Sequence, residues 1–441
     1  MATKITSGSI FSAGAVVVGV DAAAPPAVPS PAPEPAPEPA PAGDVYYVIG
    51  ESSDDTHGSN SGNVFIYDAT DLNAVPVQLF HPSPAASDRF GGRSNSSTNK
   101  FAIVASGDNS VRGSIFVYDK NNLSGDPVQV TAPGGKAYDF LGTYGVAISD
   151  THLLAGSLGD DDVANSAGSA HIWDVNDLSA SPIKLQPSNL IEQSRFGKNV
   201  FLSDDYAIVS AQHNSTSGEA SSGDLGVLYF YDLGDLSAAP IELVAPEGIN
   251  DAAGPNFGGG QGGSISAFGN TLVVGADFKE TESAERSGKV YIYDMSDLSA
   301  SPIELTEPVT AGNTYWSQFG RSVDITSSHI AVGAPRSKQG SATFSRDVGA
   351  VYVYDRSDLS AAPIKLVSGI NDTSRPYFGD GVRLSDTTII VGALEEDVNV
   401  NQEGAVYIWS LSDLTGAPTK LTSPYPNAGD NFGSSVDIIT G

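Results

Sequence analysis

The sequence predicts an all-β protein in which seven four-stranded blades form a closed ring, a β-propeller. Three observations lead to this fold class. One segment, represented by GAVYVYDRSDLSAAPIKL from Gly349 to Leu366, occurs seven times with small changes. Each repeat contains four short strand-like runs. The 441 residues also include 48 glycines and 27 prolines, as expected for a chain with many tight turns.

The spacing of the repeats supports blades rather than helical units. The copies begin at Gly62, Gly113, Gly168, Gly226, Gly288, Gly349 and Gly404. Successive copies are therefore about 50 to 60 residues apart, which is longer than most helical repeats and suits a propeller blade.

One repeat, from Phe319 to Leu366, illustrates the four strands of a blade. FGRSVDI predicts the first, HIAVGA the second, VYVYD the third and PIKL the fourth. The fourth begins at Pro363, and equivalent prolines stand in the other copies. Because proline has no N–H to donate, it is tolerated only at a strand start or an edge. The fourth strand is therefore expected to be the outermost.

The chain does not begin at the start of a blade, which predicts how the ring closes. DVYYVIGE (Asp44 to Glu51) matches a second strand, and FGSSVDIIT (Phe432 to Thr440) matches a first strand. We expect the C-terminal strand to complete the blade that the N-terminal strand begins, which removes two exposed sheet edges.

Composition excludes several classes of function. There are 52 acidic and 22 basic residues and a formal charge of −30, which disfavours nucleic acid and anionic membranes as partners. No cysteine is present, so disulfides and thiolate metal sites are excluded. The longest apolar run, Ile10 to Val20, is too short to span a bilayer, and no transmembrane segment is expected.

The repeat resembles the FG-GAP repeat of integrin α-subunit propellers and of many bacterial and viral extracellular proteins. The resemblance rests on Phe319-Gly320, Gly333-Ala334-Pro335 and the VYVYD strand, in the family's order, and it covers most of residues 44 to 441. Some copies are eroded, as at Phe140 and Ser210. The resemblance implies a seven-bladed propeller used for extracellular binding or display.

The resemblance also implies where calcium would bind, since family members often carry a D-x-[DN]-x-DG loop between the first and second strands. Here these connections are short, as in DITSSHI and LSDTTII. We expect tight hairpins there and no calcium site of the family's type. No cofactor is expected, and Ca²⁺ stays open for other loops.

The longer loops join the second strand to the third. In a four-stranded meander they emerge on the same face as the connections between blades, and we call this the loop face. A rigid scaffold with one variable face is the usual arrangement of a binding surface, although solvated loops without a partner are equally compatible with the pattern.

Two acidic runs in these loops are the candidate metal ligands. The residues are Asp160, Asp161 and Asp162 with Asn165, and Glu395, Glu396 and Asp397. Consecutive side chains of an extended loop point in opposite directions, which opposes convergence on one ion. The alternative is a solvated charged surface.

Aromatic residues between the fourth strand and the next first strand are the candidate ligand contacts. They are Tyr138, Tyr315, Trp316, Tyr377 and Tyr425. Sugar rings stack on such exposed side chains, and Tyr315 and Trp316 are the preferred glycan contact. The alternative is that these aromatics cover the gap between neighbouring blades.

No catalytic residues are predicted. The six histidines show no metal-ligand spacing, and no nucleophile or phosphate-binding motif occurs in a suitable context. Arg93, Lys198 and Arg321 follow the Phe-Gly pair in three blades, where they would either bind an anion at the channel mouth or offset nearby carboxylates. We therefore expect a protein that is not an enzyme.

Two segments precede the propeller at residues 44–441. Residues 25–43 are proline-rich and predict a semi-rigid polyproline II spacer. Residues 1–24 form either a weak secretory signal cleaved near Ala22 or a docking segment. The docking reading rests on the likeness of Gly8–Asp21 to a blade hairpin, with Ile10, Phe11, Val16, Val17 and Val18 as its apolar contacts.

An anchor, a stalk and a propeller together suggest a non-enzymatic display protein. The preferred setting is a virion, as a phage fibre or a head or tail decoration attached to another structural protein, with a loop face that contacts a protein or glycan on a host surface. A secreted bacterial adhesin and a polysaccharide-processing propeller are the alternatives.

Overall fold

The computed structural model describes residues 45–123, 125–213, 226–246, 256–260, 263–279, 287–308, 316–339, 346–369 and 375–440. These residues form seven four-stranded antiparallel sheets, one small two-stranded hairpin and one four-residue helix, α1 (Asp108–Val111). The all-β prediction and the seven blades are confirmed.

Every blade consists of four strands. Blade 1 contains β1 (Tyr46–Glu51), β2 (Asn63–Asp68), β3 (Val77–Phe80) and the last strand of the chain, β30 (Phe432–Ile439). Blade 2 contains β4 (Phe90–Ser96), β5 (Lys100–Ala105), β6 (Ser114–Asp119) and β7 (Val128–Val130). Blade 3 contains β8 (Val146–Ile148), β9 (His152–Ser157), β10 (Ser169–Asp174) and β11 (Ile183–Leu185). Blade 4 contains β12 (Phe196–Leu202), β13 (Tyr206–Ala211), β14 (Val227–Asp232) and β15 (Ile241–Val244).

The remaining three blades follow the same order. Blade 5 contains β16 (Ile265–Phe268), β17 (Thr271–Ala276), β18 (Lys289–Asp294) and β19 (Ile303–Thr306). Blade 6 contains β20 (Ser322–Ile325), β21 (His329–Ala334), β24 (Ala350–Asp355) and β25 (Ile364–Leu366), with the hairpin β22 (Lys338–Gln339) and β23 (Arg346–Asp347) inserted in its loop. Blade 7 contains β26 (Val382–Leu384), β27 (Thr388–Ala393), β28 (Ala405–Ser410) and β29 (Thr419–Leu421).

Blade 1 joins the two ends of the propeller. β30 pairs antiparallel with β1 from Tyr46 opposite Ile439 to Glu51 opposite Phe432, with one bulge. The strand order in this sheet is β3-β2-β1-β30, so the C-terminal strand occupies the place that β4 or β12 takes in other blades. The predicted strand exchange and the outermost position of the proline-led strand are both confirmed.

The hydrophobic core is divided among the interfaces between neighbouring blades. In β2, Phe65 and Tyr67 pack towards blade 7, whereas Val64 and Ile66 pack towards blade 2. This division follows from the strand period of two residues, which sends successive side chains to opposite sides of each sheet. A strand that is apolar on both sides is therefore what a blade between two neighbours requires.

The phenylalanine of each Phe-Gly pair lies fully buried between two blades. Phe90, Phe196, Phe257, Phe319, Phe378 and Phe432 are all 0% exposed, and Leu141 takes this position in blade 3. Phe196, for example, meets the Tyr229 ring edge to face at a centroid distance of 5.3 Å. This repeated anchor explains why a Phe-Gly pair recurs in six of the seven blades.

A glycine at the start of the third strand permits the blades to approach at this anchor. Gly404 has a φ of 87°, and a Cβ there would overlap the backbone of Phe432 in blade 1. The two residues form a parallel bridge across the interface. Both the positive φ and the close backbone approach require glycine.

The connections between first and second strands are tight hairpins, as predicted. In blade 2, β4 and β5 are joined through Ser97, whose N–H donates to the carbonyl of Lys100 at 2.8 Å. Blade 7 repeats this with Ser385 and Thr388 at 2.8 Å. These turns leave no room for the longer calcium loop of the FG-GAP family.

In the described residues no helix is long and apolar enough to cross a membrane. The proline-rich segment and the docking residues Ile10, Phe11, Val16, Val17 and Val18 lie outside the described residues, so those expectations stay predictions.

Candidate functional site

The loop face is built as the strand order requires. Loops from the second to the third strand lie beside the connections that enter each blade, and backbone hydrogen bonds join them. Ser87 N–H donates to the carbonyl of Ser59 at 2.8 Å, and Ser53 N–H donates to that of Asp430 at 3.3 Å. Side chains from distant parts of the sequence therefore meet on this face.

One backbone position of the repeat supplies side chains to the loop face from every blade. The residue before the anchoring Phe or Leu has a left-handed backbone in all seven blades, with φ between 50° and 60°. The seven residues are Arg89, Phe140, Arg195, Asn256, Gln318, Tyr377 and Asn431. Blades 2, 3 and 4 carry Arg89, Phe140 and Arg195 at this position, whereas the residues of the other four blades are uncharged. At this position the loop face is therefore more positive over blades 2 to 4 than over the rest.

Of the seven, Arg89, Phe140 and Arg195 line one cavity of about 400 Å³. Its wall includes Arg89, Phe140, Tyr144, Arg195 and Lys198, and we call this the cationic pocket. The hydroxyl residues Ser87, Ser106 and Thr143 complete the polar part of the wall. The size suits a small ligand or one residue of a polymer.

The cations of this pocket have no carboxylate partners among the described residues. The ion pairs in that part of the chain use His81, Lys136, Lys184, Lys289, Arg321, Arg383 and Lys420. Arg89, Arg195 and Lys198 are therefore left as a concentration of positive charge in a protein whose formal charge is −30. Such a field attracts anions to the pocket.

Lys198 lies at the inner end of the cationic pocket and is only 7% exposed. Its ammonium stands 3.6 Å from the centre of the Tyr144 ring, a cation–π contact. Burial, together with the charges of Arg195, Arg321 and Arg93, lowers the pKa of Lys198 to about 7, while Asp277 opposes the shift. A nearby anion would favour the protonated form of this lysine.

The channel cations behave differently from one another. The Arg321 Nε donates to Asp380 at 2.7 Å and its Nη1 to Asp277 at 3.3 Å, so Arg321 offsets carboxylates as one alternative predicted. Arg93 instead donates to backbone carbonyls of Gly92 and Ser434, at 3.0 and 3.2 Å. The three predicted cations therefore do not act as one ring.

The inner strands enclose a smaller cavity of about 230 Å³ at the channel. Two of its charged groups are paired, since Arg383 Nε lies 3.4 Å from Asp437. Asp324 accepts from Ser266 Oγ at 2.8 Å and from Leu384 N–H at 2.7 Å. Burial raises the pKa of both Asp324 and Asp437. These contacts link neighbouring inner strands and indicate a structural role.

The first acidic run, predicted as a possible metal site, is held by lysines. Asp160 accepts from Lys184 Nζ at 2.7 Å and from Ser169 Oγ at 2.6 Å. Asp162 contacts both Lys184 and Lys136, at 2.7 and 3.0 Å, and Asp161 contacts Lys136 at 2.5 Å. The lysines supply the positive charge that a metal ion would bring.

The second acidic run, Glu395 to Asp397, is also held by neighbouring residues. Glu396 is fully buried, receives the Tyr407 hydroxyl at 2.9 Å and pairs with Lys420 at 2.5 Å. Glu395 and Asp397 each accept from Gln402, through its side chain and its backbone N–H respectively. The three side chains thus have separate partners.

The candidate aromatic contacts are spread around the face. Tyr138 is 64% exposed and its ring lies 6.1 Å from Phe140 of the cationic pocket. Tyr425 is 58% exposed beside Phe65, Trp316 is 41% exposed in blade 6, and Tyr377 lies under the Arg336 guanidinium at 5.6 Å. Tyr315, the other preferred glycan contact, lies outside the described residues.

Sequence reasoning missed Arg89 and Arg195 as parts of one site. Both precede a Phe-Gly pair, but about a hundred residues separate them in the chain, and only the ring geometry places them around one cavity. The signal that could have found them is the repeat register itself, read for basic residues at one position in successive blades.

One family of known repeats matches part of the chain. The FG-GAP repeat family matches residues 371–409, which include β26, β27 and most of β28. No curated protein sequence matches the chain. The β-propeller domain of the Trilobed protease from Pyrococcus furiosus, which has an open velcro topology, is similar in structure, with 12% identity, a TM-score of 0.49, and coverage of 86% of this chain and 93% of that one.

Pyrococcus horikoshii acylaminoacyl peptidase is similar at the same identity, TM-score and coverage of this chain, which spans about half (51%) of that peptidase. At 12% identity neither likeness bears on function. The buried Phe-Gly anchors, the closed ring and the matched repeat identify the chain as an FG-GAP-like seven-bladed β-propeller.

Proposed function

We propose that this propeller is a non-enzymatic extracellular display protein whose loop face binds an acidic group, such as the carboxylate or sulfate of a surface glycan. The observation that carries the proposal is the cationic pocket. Three basic side chains without carboxylate partners among the described residues surround a cavity of about 400 Å³ in a chain with a formal charge of −30. In a protein so acidic, a group of cations without carboxylate partners favours an anion as the ligand.

Aromatic rings beside the cations favour a sugar over a simple ion. Phe140 and Tyr144 line the same cavity, and exposed Tyr138 stands next to Phe140. Ring faces stack on the apolar side of a pyranose while arginine forks pair with carboxylate or sulfate oxygens. Hydroxyls of Ser87, Ser106 and Thr143 are available to hydrogen-bond the remaining sugar oxygens.

Our preferred setting is a virion, where residues 1–24 attach to another structural protein and residues 25–43 hold the propeller away from it. A secreted bacterial adhesin is the alternative, and the N-terminus distinguishes the two. Mass spectrometry of the protein from its natural source would show cleavage near Ala22 for the adhesin, or an intact terminus for the virion protein.

A polysaccharide-processing enzyme is the second functional class. It would need an acid and a base that converge on a substrate. The described carboxylates at the channel are instead paired with Arg321 and Arg383 or hydrogen-bonded to the inner strands. This arrangement favours the binding role. Release of reducing ends from an acidic polysaccharide would overturn the non-enzymatic proposal.

The binding test compares acidic and neutral polysaccharides on the full-length protein by biolayer interferometry. We expect binding to a sulfated or carboxylated polymer and none to dextran. The double variant Arg89→Ala/Arg195→Ala should weaken that binding at least tenfold, since each lost charge-assisted contact is worth about 1.5–3 kcal/mol.

The matched control is Arg112→Ala, which removes an exposed arginine beside a neighbouring cavity. It should leave affinity unchanged. Equal losses in the control and in the pocket variant would mean nonspecific electrostatic attraction and would contradict a specific pocket.

A further inference from the structure

Three buried carboxylates meet where the two ends of the propeller join. Glu51 ends β1, Asp54 lies in the loop that follows, and Asp430 precedes β30; we call these three residues the carboxylate cluster. Their exposed fractions are 0%, 1% and 1%, and one oxygen from each lies within 4.8 Å of the others. Among the described residues, this is the one group of acidic or histidine side chains that converges in this way.

The hydrogen bonds of the cluster leave part of it without a partner. Asp54 is held by the N–H and hydroxyl of Thr56 at 3.0 and 2.9 Å, and Asp430 accepts from Asn427 N–H at 2.7 Å. Glu51 Oε2 accepts from Asn63 Nδ2 at 3.0 Å. The other oxygen, Oε1, is buried and has no hydrogen-bond partner among the described residues. Burial of an unpartnered carboxylate oxygen is costly unless something else neutralises it.

The hydroxyl of Ser423 is close enough to favour the ionised form of Glu51 but makes no hydrogen bond of normal geometry to it. Burial nevertheless raises the pKa of Glu51 to about 8, with Asp430 and Asp54 adding to the effect, and burial raises the pKa of Asp430 to about 6.

Comparison with the other blades shows that blade 1 lacks a lysine that pairs with the turn acid. Asp54, Asp160 and Glu396 occupy the same position of the same turn, since the carbonyl of each accepts the N–H of the glycine that opens the third strand. Asp160 pairs with Lys184, and Glu396 pairs with Lys420. Both lysines stand at one position of the outer strand, opposite the third residue of the strand before it.

In blade 1 that outer-strand position is Gln78, opposite Phe65. A neutral amide thus replaces the lysine in the blade where three buried acids converge. Blade 2 also has a glutamine there, Gln129, but its acid Asp108 faces His81 at 3.4 Å. Among these four blades, and within the described residues, only blade 1 has buried acids at this turn without a basic partner.

We propose that the carboxylate cluster binds one calcium ion, which takes the place of the missing lysine and joins the two ends of the ring. All three donors are oxygens, which suit a hard cation. Two oxygens that share one Ca²⁺ are at most about 5 Å apart at normal bond lengths, so the spacing of 4.8 Å or less fits a shared ion. Further ligands would come from hydroxyls or water.

The position of this site differs from that of the calcium loops that the FG-GAP resemblance implies. It lies on the loop face, between the second and third strands of blade 1 and the connection that enters β30, not in a hairpin of the first two strands. The ion would connect residues that are almost the whole propeller apart in sequence. It would add to the local bonds from Ser52 N–H to Ser434 Oγ at 3.1 Å and from Asn431 Nδ2 to Ser53 Oγ at 3.1 Å.

The experiment uses the full-length protein after EGTA treatment. Calcium binding is measured by isothermal titration calorimetry, and the midpoint of thermal unfolding, Tm, is followed as CaCl₂ is added. We expect one bound Ca²⁺ per chain and a rise in Tm of several degrees, with a smaller response to Mg²⁺. Failure to bind calcium, with Tm unchanged, would mean that a shared proton neutralises the cluster and would overturn the proposal.

Three variants locate the ion. Glu51→Gln and Asp430→Asn should each weaken calcium binding at least tenfold. Gln78→Lys should supply the cation of blades 3 and 7, so that Tm of the EGTA-treated protein rises and the response to calcium disappears. This variant gains stability when the proposal is right, so a failure to fold cannot imitate the expected result.

The matched control is Glu396→Gln, which changes the equivalent acid of blade 7 and should leave calcium affinity unchanged. Binding that persists at full strength in both Glu51→Gln and Asp430→Asn would place the ion elsewhere and contradict the site. The same would follow if Glu396→Gln weakened binding as much as Glu51→Gln.

Discussion

The two sides of the loop face carry opposite excesses of charge. Over blades 2 to 4, Arg89, Arg195 and Lys198 converge without carboxylates among the described residues. Over blade 1, Glu51 and Asp430 converge with a third acid and without a basic side chain in the described part of the chain.

This difference teaches how a repeated structure acquires individual sites. The backbone, the glycines and the buried phenylalanines are shared, so each blade folds in the same way. The buried turn acids of blades 3 and 7 are balanced by Lys184 and Lys420. Where this balance is broken, we propose that a ligand from outside completes it.

The largest expected effect comes from removing the buried phenylalanines that support both sides of the loop face. Phe432→Ala and Phe196→Ala each delete a fully buried ring between two blades, beside the carboxylate cluster and the cationic pocket respectively. Each should lower the free energy of unfolding by about 3–5 kcal/mol, measured by urea denaturation. Val128→Ala, at a 48% exposed position, should change it by less than about 0.5 kcal/mol. A loss of stability in only one of the two variants would show that the two sides do not depend on the same kind of anchor.

A second experiment makes blade 7 resemble blade 1. Lys420→Gln removes the lysine of this ion pair and keeps the hydrogen bond from the Tyr407 hydroxyl to the buried Glu396. We expect a loss of about 2 kcal/mol at pH 7, below the cost of breaking a fully buried pair because Lys420 is partly solvated. The control Lys365→Gln changes the same strand position in blade 6, where no described carboxylate forms an ion pair with the lysine, and should cost less. Equal losses would show that the lysines act by packing.

A third experiment uses pH to change the positive side alone. With a pKa of about 7, Lys198 is mostly protonated at pH 6 and mostly neutral at pH 8. An acidic polysaccharide prefers the protonated form, so its affinity should fall up to about tenfold over this range. Lys198→Arg, which stays charged, should remove that dependence. A wild-type affinity that is constant from pH 6 to 8 would contradict a role for Lys198.

The stability of the ligand-free protein should depend on pH with the opposite sign to ligand affinity. Because the folded pKa of Lys198 lies below the unfolded value of 10.5, the unfolded chain holds more protons between about pH 7 and 10.5. The contribution of Lys198 to the ligand-free protein therefore becomes more favourable as pH rises through this window. Binding and stability should change in opposite directions with pH.

The smallest effects separate the two groups of exposed aromatics. Tyr138→Ala should weaken binding of the acidic polysaccharide a few-fold, because Tyr138 stands beside Phe140 of the cationic pocket. Trp316→Ala, in blade 6, should leave it unchanged. Both should stay within about 0.5 kcal/mol of wild-type stability in urea. A stronger effect from Trp316 would restore the sequence-based preference for that residue and move the glycan contact across the face.

Much of the fold was predictable because its determinants are local. The glycine before the third strand, the Phe-Gly anchor and the proline before the fourth strand specify turns, anchors and edges within a few residues of themselves. The strand exchange followed from counting strands in a ring. The sites were harder, since Arg89 and Arg195, or Glu51 and Asp430, meet only after the ring has closed.

The acidic runs show the opposite error, because there the sequence suggests a shared site whose side chains have other partners in the structure. Asp160 to Asp162 suggest metal ligands because they are consecutive, yet their partners are Lys184, more than twenty residues away, and Lys136 of another blade. Glu51 is easily overlooked because a single acid at a strand end looks ordinary. An alignment of the repeats shows a glutamate where other blades have alanine or serine, and Gln78 where two acid-bearing blades have lysine.

The pairing of β1 with β30 also fixes how the molecule carries a mechanical load. β1 runs towards the loop face, so Tyr46 begins the strand on the side of the disk opposite that face. A pull applied between Tyr46 and the loop face would act along β1, and it would load the six residue pairs with β2, and those with β30, together in shear instead of opening them one at a time. The carboxylate cluster lies at the far end of that strand, where a bound ion would resist its withdrawal.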